Sequence, residues 1–388
     1  MVKVAIISGS RADYSLLYPV IKAFNADTEV ELALIATGCQ SDNTQSLSDI
    51  FAQDGLCEFA NVPSGVVDGS HLSVCNAIST TITGFSRLFS SYQPDIILVL
   101  GDRFEIFAAV QAAWIYGIPV AHIAAGDVTE GAIDEAFRHC ISKMARLHFT
   151  TNADARLRVL QLGEAKETVH LVGSPGIDNL IHCDKLNKTE LSALLKINLS
   201  HQVYLVTLHP ETLTALAPDQ QATLLIAALS QLDNEVTLVI SAANTDPGGE
   251  QINFALRQYA ASRKNSVFIE NLGRTAYVSL LAIADLMIGN SSSGIYEAAS
   301  FGLAVVNIGN RQAGRLSPAN VLNCEFDTEA ILDTIRQAVL LDCGKFENPF
   351  GDGHAAERIH DLTIEYIKSS PSLTRRKTFH SYILGDVK

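Results

Sequence analysis

The densest group of chemically capable side chains lies between residues 122 and 139. Its members are His122, Asp127, Glu130, Asp134, Glu135, Arg138 and His139. If a helix begins near residue 131, Asp134 and Arg138 are neighbours on one face, one turn apart. Ionisable groups are unfavourable to bury without a purpose, and carboxylates and histidines are common proton-transfer groups. We interpret this stretch as a functional site, and a solvated, salt-bridged helix start is the alternative.

Two further motifs close predicted strands in the first half of the chain. Asp102 and Glu105 belong to the run GDRFE, at the strand end where an α/β sheet carries its functional groups. Asp102 is a catalytic candidate, and simple capping of the next helix is the alternative. The first strand ends in SGSRADY, a turn whose N–H groups and Arg11 guanidinium suit an anion. An arginine packed at a helix start explains that run equally well.

The second half contains a run suited to a diphosphate. Residues 290–297, NSSSGIYE, open a helix with three hydroxyls and the unpaired N–H groups of a helix N-terminus. Glu297 would lie one turn in, placed to accept hydrogen bonds from ribose hydroxyls. A serine N-cap explains one of these serines but not the row. Arg311 and Arg315 follow the next strand and could add positive charge, although Arg315 could equally be a surface residue.

Composition narrows the class of protein. The formal net charge of −14 disfavours nucleic acid and anionic membranes as partners, because the bulk field repels phosphates. Seven scattered cysteines without a CxxC pair argue against disulfides and zinc, and no HExxH or GxSxG motif is present. We expect no metal and no cofactor. The chain starts without an export signal and has no membrane-length apolar run, so we expect a cytoplasmic protein.

Short Val, Ile and Leu runs alternate with longer polar-interrupted segments, which predicts repeated βα units with parallel strands. After the first strand, Leu17, Val20, Ile21 and Phe24 form one apolar helical stripe. Strands are predicted at 2–8, 30–37, 95–100, 119–124, 147–150 and 169–172, and then at 203–208, 236–241, 267–270, 286–289 and 304–308. The strand-free stretch between these series predicts two doubly wound α/β domains, with a ligand cleft between them. The predicted domains are 1–175 and 176–365, and the tail 366–388 is a candidate to pack back on the first.

In this order, the motifs resemble those of the hydrolysing UDP-N-acetylglucosamine 2-epimerases of sialic and legionaminic acid synthesis. The resemblance covers nearly the whole chain and is carried by SGSRADYS, LGDRFE, VTEGAIDEAFRH, SKMARLHF, VGSPGIDN, TLHPET, NSSSGIYEAASFG and NIGNRQAGR. It implies two Rossmann-like domains of glycosyltransferase-B type, with UDP mainly on the second. It also implies a homodimer or homotetramer.

The resemblance implies a reaction in which a proton leaves sugar C2 and UDP leaves C1, and water then adds to the 2-acetamidoglucal. The catalytic candidates are Asp102, Asp134, Arg138, Asp127, Glu105 and His122. The candidates for binding UDP or the sugar are Arg11, His209, Asn290, Ser291, Ser292, Ser293, Gly294, Glu297, Arg274 and Arg311. Among these, Asp102 and Asp134 are the leading acid and base.

The chain departs from the family pattern on the sugar side. After His122 the family usually has Glu or His, two glycines and Glu, whereas this chain has Ala124, Ala125, Gly126 and Asp127. The family also tends to have His where this chain has Gln40 and Arg146. Three alternatives stay open: a non-hydrolysing epimerase, a glycosyltransferase of the same architecture, and a sugar-nucleotide-binding protein that has lost catalysis.

Overall fold

The computed structural model of the 388-residue chain describes residues 1–38, 46–65, 70–129, 133–211, 214–244, 246–342, 344, 346–369 and 377–382. The chain divides into two compact units. The first consists of Met1–Asn179 and Pro349–Lys388, and the second of Leu180–Asn348. Within the described residues, no helix combines the length and the apolar character needed to cross a membrane.

The first unit is built on a seven-stranded sheet in the order β3-β2-β1-β4-β5-β6-β7, and every pairing is parallel. Its strands are β1 (Val2–Ser8), β2 (Val30–Gly38), β3 (Glu58–Pro63), β4 (Ile96–Leu100), β5 (Val120–Ile123), β6 (Leu147–Thr150) and β7 (Val169–Leu171). Its helices are α1 (Arg11–Ala26), α2 (Leu47–Gln53), α3 (His71–Ser91), α4 (Phe104–Tyr116), α5 (Asp134–Met144), α6 (Ala153–Gln161) and α14 (Ala355–Ser369). The central strands are buried on both faces, as their unbroken apolar runs predict.

The second unit repeats this plan with six parallel strands in the order β10-β9-β8-β11-β12-β13. The strands are β8 (Val203–Thr207), β9 (Thr237–Ser241), β10 (Ser266–Ile269), β11 (Leu286–Gly289), β12 (Ala304–Ile308) and β13 (Val321–Cys324). The helices are α8 (Lys188–Leu195), α9 (Pro218–Leu229), α10 (Gly249–Ser262), α11 (Gly273–Ile283), α12 (Ser292–Tyr296) and α13 (Thr328–Ala338). Helix α7 (Pro175–Ile181) spans the division between the units.

Both sheets have the strand order of a Rossmann fold, in which the direction of winding reverses beside the first strand. In the first unit this switch point lies between the carboxyl ends of β1 and β4, and in the second between those of β8 and β11. Ligands of such sheets bind outside the strand ends at the switch point. The predicted fold class of two Rossmann-like doubly wound domains is therefore confirmed.

The structure differs from the prediction at the sheet edges. β3 and β13 were not predicted, because their side chains alternate between buried and exposed positions instead of forming an apolar run. The chain also returns to the first unit at Pro349, earlier than the predicted residue 366. Helix α14 thus belongs to the first unit, since Ala356 and Ile359 are buried in the same core cluster as α1.

Candidate functional site

Asp102 and Arg138 form an ion pair at the switch point of the first sheet. Asp102 lies two residues after the end of β4, and an Arg138 Nη2 N–H donates to its carboxylate. The same nitrogen donates to the Thr129 hydroxyl at 2.7 Å. Arg138 is only 7% exposed, and its Nε finds no hydrogen-bond partner among the described residues. No side chain caps the N-terminus of helix α4. The Asp102 carboxylate therefore pairs with Arg138 and does not cap the helix.

Two more carboxylates surround this pair. Asp134 is the first residue of α5, and burial raises its pKa, to which the neighbouring charge of Asp102 adds. Burial also raises the pKa of Asp127, although its Oδ1 accepts a hydrogen bond from the Thr151 hydroxyl at 2.5 Å. The structure thus places Asp102, Asp127, Asp134 and Arg138 in one electrostatically coupled group, and their catalytic roles stay a prediction. Glu130 lies outside the described residues.

His122 has a different role from the predicted catalytic one. The ring has no exposed surface, and its Nε2 lies 2.7 Å from the Gly101 carbonyl oxygen. Because a carbonyl only accepts, Nε2 carries the proton and Nδ1 accepts from the Ser142 hydroxyl at 3.0 Å. Burial lowers the pKa of His122 to about 3. We therefore correct the prediction: His122 is a neutral residue that positions the backbone immediately before Asp102.

The prediction that Glu105 is catalytic is corrected in the same way. Its side chain is fully buried and accepts two hydrogen bonds from Arg103, from Nε at 3.2 Å and from Nη2 at 2.9 Å. Its carboxylate fixes the direction of the Arg103 guanidinium, which is 43% exposed. Because the Glu105 side chain has no exposed surface and both hydrogen bonds go to Arg103, its role in this structure is to orient that guanidinium.

Sequence reasoning missed Arg103 and Asp13 as site residues. Asp13 lies in the first turn of α1, and its Oδ2 is 3.9 Å from the Arg103 Nε. This oxygen is buried without a hydrogen-bond partner among the described residues, and burial raises the pKa of Asp13 to about 6. Both residues stand inside the motifs SGSRADY and GDRFE, next to Arg11 and Asp102. That adjacency was the available signal.

The positions that depart from the family pattern are now placed. Ala124 adopts a left-handed backbone with φ of 61°, and Ala125 is fully buried. The Arg146 guanidinium lies 5.7 Å from the centre of the Trp114 ring. Gln40 lies outside the described residues. Arg11, the predicted anion ligand, is the exposed first residue of α1.

Asn290 and His209 join the two strands at the switch point of the second sheet. The Asn290 side chain accepts from the His209 N–H at 2.7 Å and donates to the His209 carbonyl at 2.8 Å. Asn290 is fully buried, so it positions His209 and is not itself the predicted ligand contact. Gly289 is required beneath it, because a Cβ there would lie 1.8 Å from the Thr207 carbonyl oxygen.

His209 is a neutral hydrogen-bond donor. Its Nδ1 accepts from the Asn244 N–H at 3.0 Å, which leaves the proton on Nε2. Burial lowers the pKa of His209 to about 4, and the nearby Arg311 charge lowers it further. Arg311 lies 3.5 Å from Asp246 and 3.4 Å from the Asn290 carbonyl oxygen. A neutral donor beside an arginine suits an anionic ligand.

The three consecutive serines 291–293 have two different environments. Ser291 is the N-cap of α12, and Ser291 and Ser292 are half-buried. The Ser293 hydroxyl instead accepts from the Tyr277 hydroxyl and donates to the Glu297 Oε2 at 2.5 Å. We therefore correct Ser293 from a ligand contact to a residue that orients Glu297.

The prediction that Gly294 contacts the ligand is also corrected. A Cβ at this position would lie 2.9 Å from Val305, so the glycine is needed for packing. The pKa of Glu297 is raised by burial, against the lowering effects of the Ser293 hydrogen bond and the Arg274 charge. Arg315 donates to the Gln312 side chain at 2.7 Å and lies over the Tyr296 ring.

Fold and site together define an α/β enzyme class with two Rossmann-like domains, one carrying coupled carboxylates and the other neutral donors beside arginines. Comparison with known proteins agrees. The family model "UDP-N-acetylglucosamine 2-epimerase" matches residues 22–363. The chain belongs to the UDP-N-acetylglucosamine 2-epimerase family.

Curated relatives and a solved structure cover most of the chain. The GDP/UDP-N,N'-diacetylbacillosamine 2-epimerase (hydrolyzing) of Campylobacter jejuni is 35% identical over 84% of this chain and 85% of that protein. The UDP-N,N'-diacetylbacillosamine 2-epimerase (hydrolyzing) of Legionella pneumophila is 32% identical over 93% and 95%. The crystal structure of UDP-GlcNAc 2-epimerase from Neisseria meningitidis bound to UDP-GlcNAc matches with a TM-score of 0.77 and 20% identity, over 94% of this chain and 100% of that chain. The last match supports the fold.

Proposed function

We propose that this chain is a hydrolysing 2-epimerase that converts a UDP-activated 2-acetamido sugar to UDP and the free 2-epimeric sugar. The carrying observation is the coupled group of Asp102, Arg138, Asp127 and Asp134 at the first switch point. Two candidate substrates fit the reaction: UDP-N-acetylglucosamine and its 2,4-diacetamido-2,4,6-trideoxy analogue. The names of the Campylobacter and Legionella relatives favour the second. The free sugar would enter sialic or legionaminic acid synthesis.

The proposed reaction has two steps. A carboxylate takes the C2 proton, the C–H electron pair forms the C1=C2 bond, and the C1–O electron pair leaves with UDP. A carboxylate then takes a proton from a water molecule whose hydroxyl adds to C1, while a carboxylic acid delivers a proton to C2 on the opposite face. We assign proton removal to Asp102, whose position the Arg138 guanidinium fixes. We assign proton return to Asp134 or Asp127, because burial raises both pKa values and so favours the acid form.

Departure of UDP needs stabilisation of the charge that develops on its diphosphate. We propose that the second unit supplies it, through the His209 Nε2 proton, the Arg311 guanidinium and the hydroxyls of Ser291 and Ser292. Glu297, with Arg274 nearby, would bind the ribose hydroxyls. In the first unit, Arg11 and the fixed guanidinium of Arg103 would add positive charge. We further propose a cytoplasmic homodimer or homotetramer, which cell fractionation and light scattering would test.

The function is tested by NMR of the purified protein in deuterated water without an acceptor. UDP-N-acetylglucosamine and the 2,4-diacetamido-trideoxy analogue are supplied separately. We expect UDP and a 2-epimeric free sugar carrying deuterium at C2. Deuterated UDP-sugar without UDP release would mean a non-hydrolysing epimerase. UDP binding without turnover of either compound would contradict the proposal and favour a transferase or a binding protein, with Ala124 as the suspected cause.

A further inference from the structure

Residues 377–382 of the C-terminal tail contact the first unit at the end of helix α5. The side chain of Lys377 is largely buried there, and its Nζ lies 2.6 Å from the carbonyl oxygens of Lys143 and Ala145. It also lies 2.5 Å from the Glu164 carboxylate, which is itself almost fully buried. An ammonium group has three protons to donate, and these three short contacts use all of them, with the Ser142 carbonyl oxygen farther away at 3.5 Å.

This lysine satisfies the end of a helix. The last carbonyl groups of an α-helix have no partner inside it, and the helix dipole makes that end partly negative. Burial lowers the pKa of Lys377 to about 8, while the Glu164 carboxylate favours the charged form. The group is therefore mainly an ammonium at neutral pH. The buried ammonium of Lys377 thus binds the C-terminal turn of α5 to the tail.

Helix α5 carries site residues at its other end. Asp134 begins the helix, and Arg138 follows one turn later and pairs with Asp102. The Ser142 hydroxyl, near the end that Lys377 holds, donates to His122. The His122 ring in turn contacts the Gly101 carbonyl oxygen beside Asp102. The position of α5 thus sets both partners of the Asp102–Arg138 pair.

The tail has a second attachment to the first unit, at Gly163 and Glu164. The Tyr382 hydroxyl donates to the Glu164 carbonyl at 2.6 Å, and the His380 N–H donates to the Gly163 carbonyl at 3.0 Å. Tyr382 packs against a small core cluster that includes Ala125. A Cβ at residue 163 would lie 2.5 Å from the Phe379 ring. Gly163 therefore leaves the space that the tail occupies.

We propose that Lys377 is a positioning residue of the active site: by binding the C-terminal carbonyls of α5 and Glu164, it fixes the helix that presents Asp134 and Arg138. The inference rests on the proposed function for its kinetic test. It assigns the tail a role in turnover in addition to its role in packing.

The kinetic test compares Lys377→Met with Lys377→Arg and with the control Lys368→Met. Lys368, near the end of α14, is also paired with a carboxylate, that of Glu29, but its side chain is exposed. We expect Lys377→Met to lower kcat about tenfold or more, because small displacements of catalytic groups are strongly felt. UDP affinity, measured by calorimetry, should stay unchanged. Lys377→Arg, which keeps the charge, should retain more activity than Lys377→Met, and Lys368→Met should match the wild type.

A wild-type kcat in Lys377→Met overturns the inference, and so does a Lys377→Arg variant no better than Lys377→Met. Loss of turnover in the wild type itself would instead count against the proposed function. Hydrogen exchange provides a readout that needs no substrate. In Lys377→Met, the amides of α5 should exchange faster while those of β1 and β4 do not change. A uniform increase over the whole first unit would mean a merely structural role and overturn the inference.

Discussion

The switch points of the two sheets have the same topology but different electrostatic character. At the first, Asp13, Asp102 and Asp134 meet Arg103 and Arg138, and burial raises the pKa of two of the three carboxyl groups. At the second, a neutral histidine and a buried asparagine connect the strand ends. Coupled carboxylates with raised pKa values are suited to proton transfer, whereas neutral donors near an arginine are suited to holding an anion.

The buried histidines His122 and His209, one in each unit, also differ in role. Both are neutral at pH 7, because burial lowers their pKa values to about 3 for His122 and about 4 for His209. In His122 both ring nitrogens are used by the protein, so it can only position the backbone. In His209 a backbone N–H donates to Nδ1, so the neutral ring carries its proton on Nε2. Hydrogen-bond partners, and not the residue type, separate the two roles.

The largest expected effect is the separation of turnover from nucleotide binding. Asp102→Asn should lower kcat by about 10²–10⁴-fold, because it removes a proton-transfer group, and should leave UDP affinity unchanged. The measurements are UDP release and calorimetry. Asp154→Asn, an exposed aspartate in the first turn of α6, is the matched control. Wild-type turnover in Asp102→Asn would remove the contrast between the two switch points.

Asp13→Asn should change how stability depends on pH. Burial raises the pKa of Asp13 from 3.8 to about 6, so the folded protein binds this proton more tightly than the unfolded chain. As pH rises from about 4 through about 6, the wild type should lose on the order of 3 kcal/mol that the variant does not lose. Urea unfolding across this range measures the difference. A difference in free energy of unfolding between the two proteins that stays the same at every pH would contradict the burial effect.

Glu297→Gln should weaken UDP binding by about tenfold, the loss expected for one hydrogen bond to a charged acceptor. Calorimetry with UDP alone measures it, since no turnover is needed. The control is Glu250→Gln, an exposed glutamate in the first turn of α10. Unchanged affinity in Glu297→Gln would exclude the ribose contact.

The smallest expected effect concerns the turn before α5. Ala124→Gly should raise the free energy of unfolding by about 0.5 kcal/mol, because glycine adopts the left-handed backbone of this position without strain. Ala108→Gly, inside helix α4, should have the opposite sign. Denaturant unfolding of both variants tests the pair. Destabilisation by Ala124→Gly would mean that the methyl group packs usefully in the turn.

Local patterns predicted most of the fold. Unbroken apolar runs mark central strands, and the predicted runs at 2–8, 147–150, 286–289 and 304–308 have the bounds of β1, β6, β11 and β12. The edge strands β3 and β13 lack that pattern, because only one of their faces is buried. The motifs also singled out Asp102, Asp127, Asp134 and Arg138 as candidates, since βα repeats bring the carboxyl ends of parallel strands to one edge of the sheet.

By itself, the sequence determined the two βα series and the residues at their strand ends, because periodicity and chain order are local properties. Only the tertiary structure decided which charged groups pair, as Arg138 does with Asp102 and Glu105 with Arg103. It also decided that His122 positions the backbone, that Asp13 is a buried acid, and that Lys377 returns to the end of α5. Burial and hydrogen-bond partners set these roles, and both depend on residues far apart in the chain.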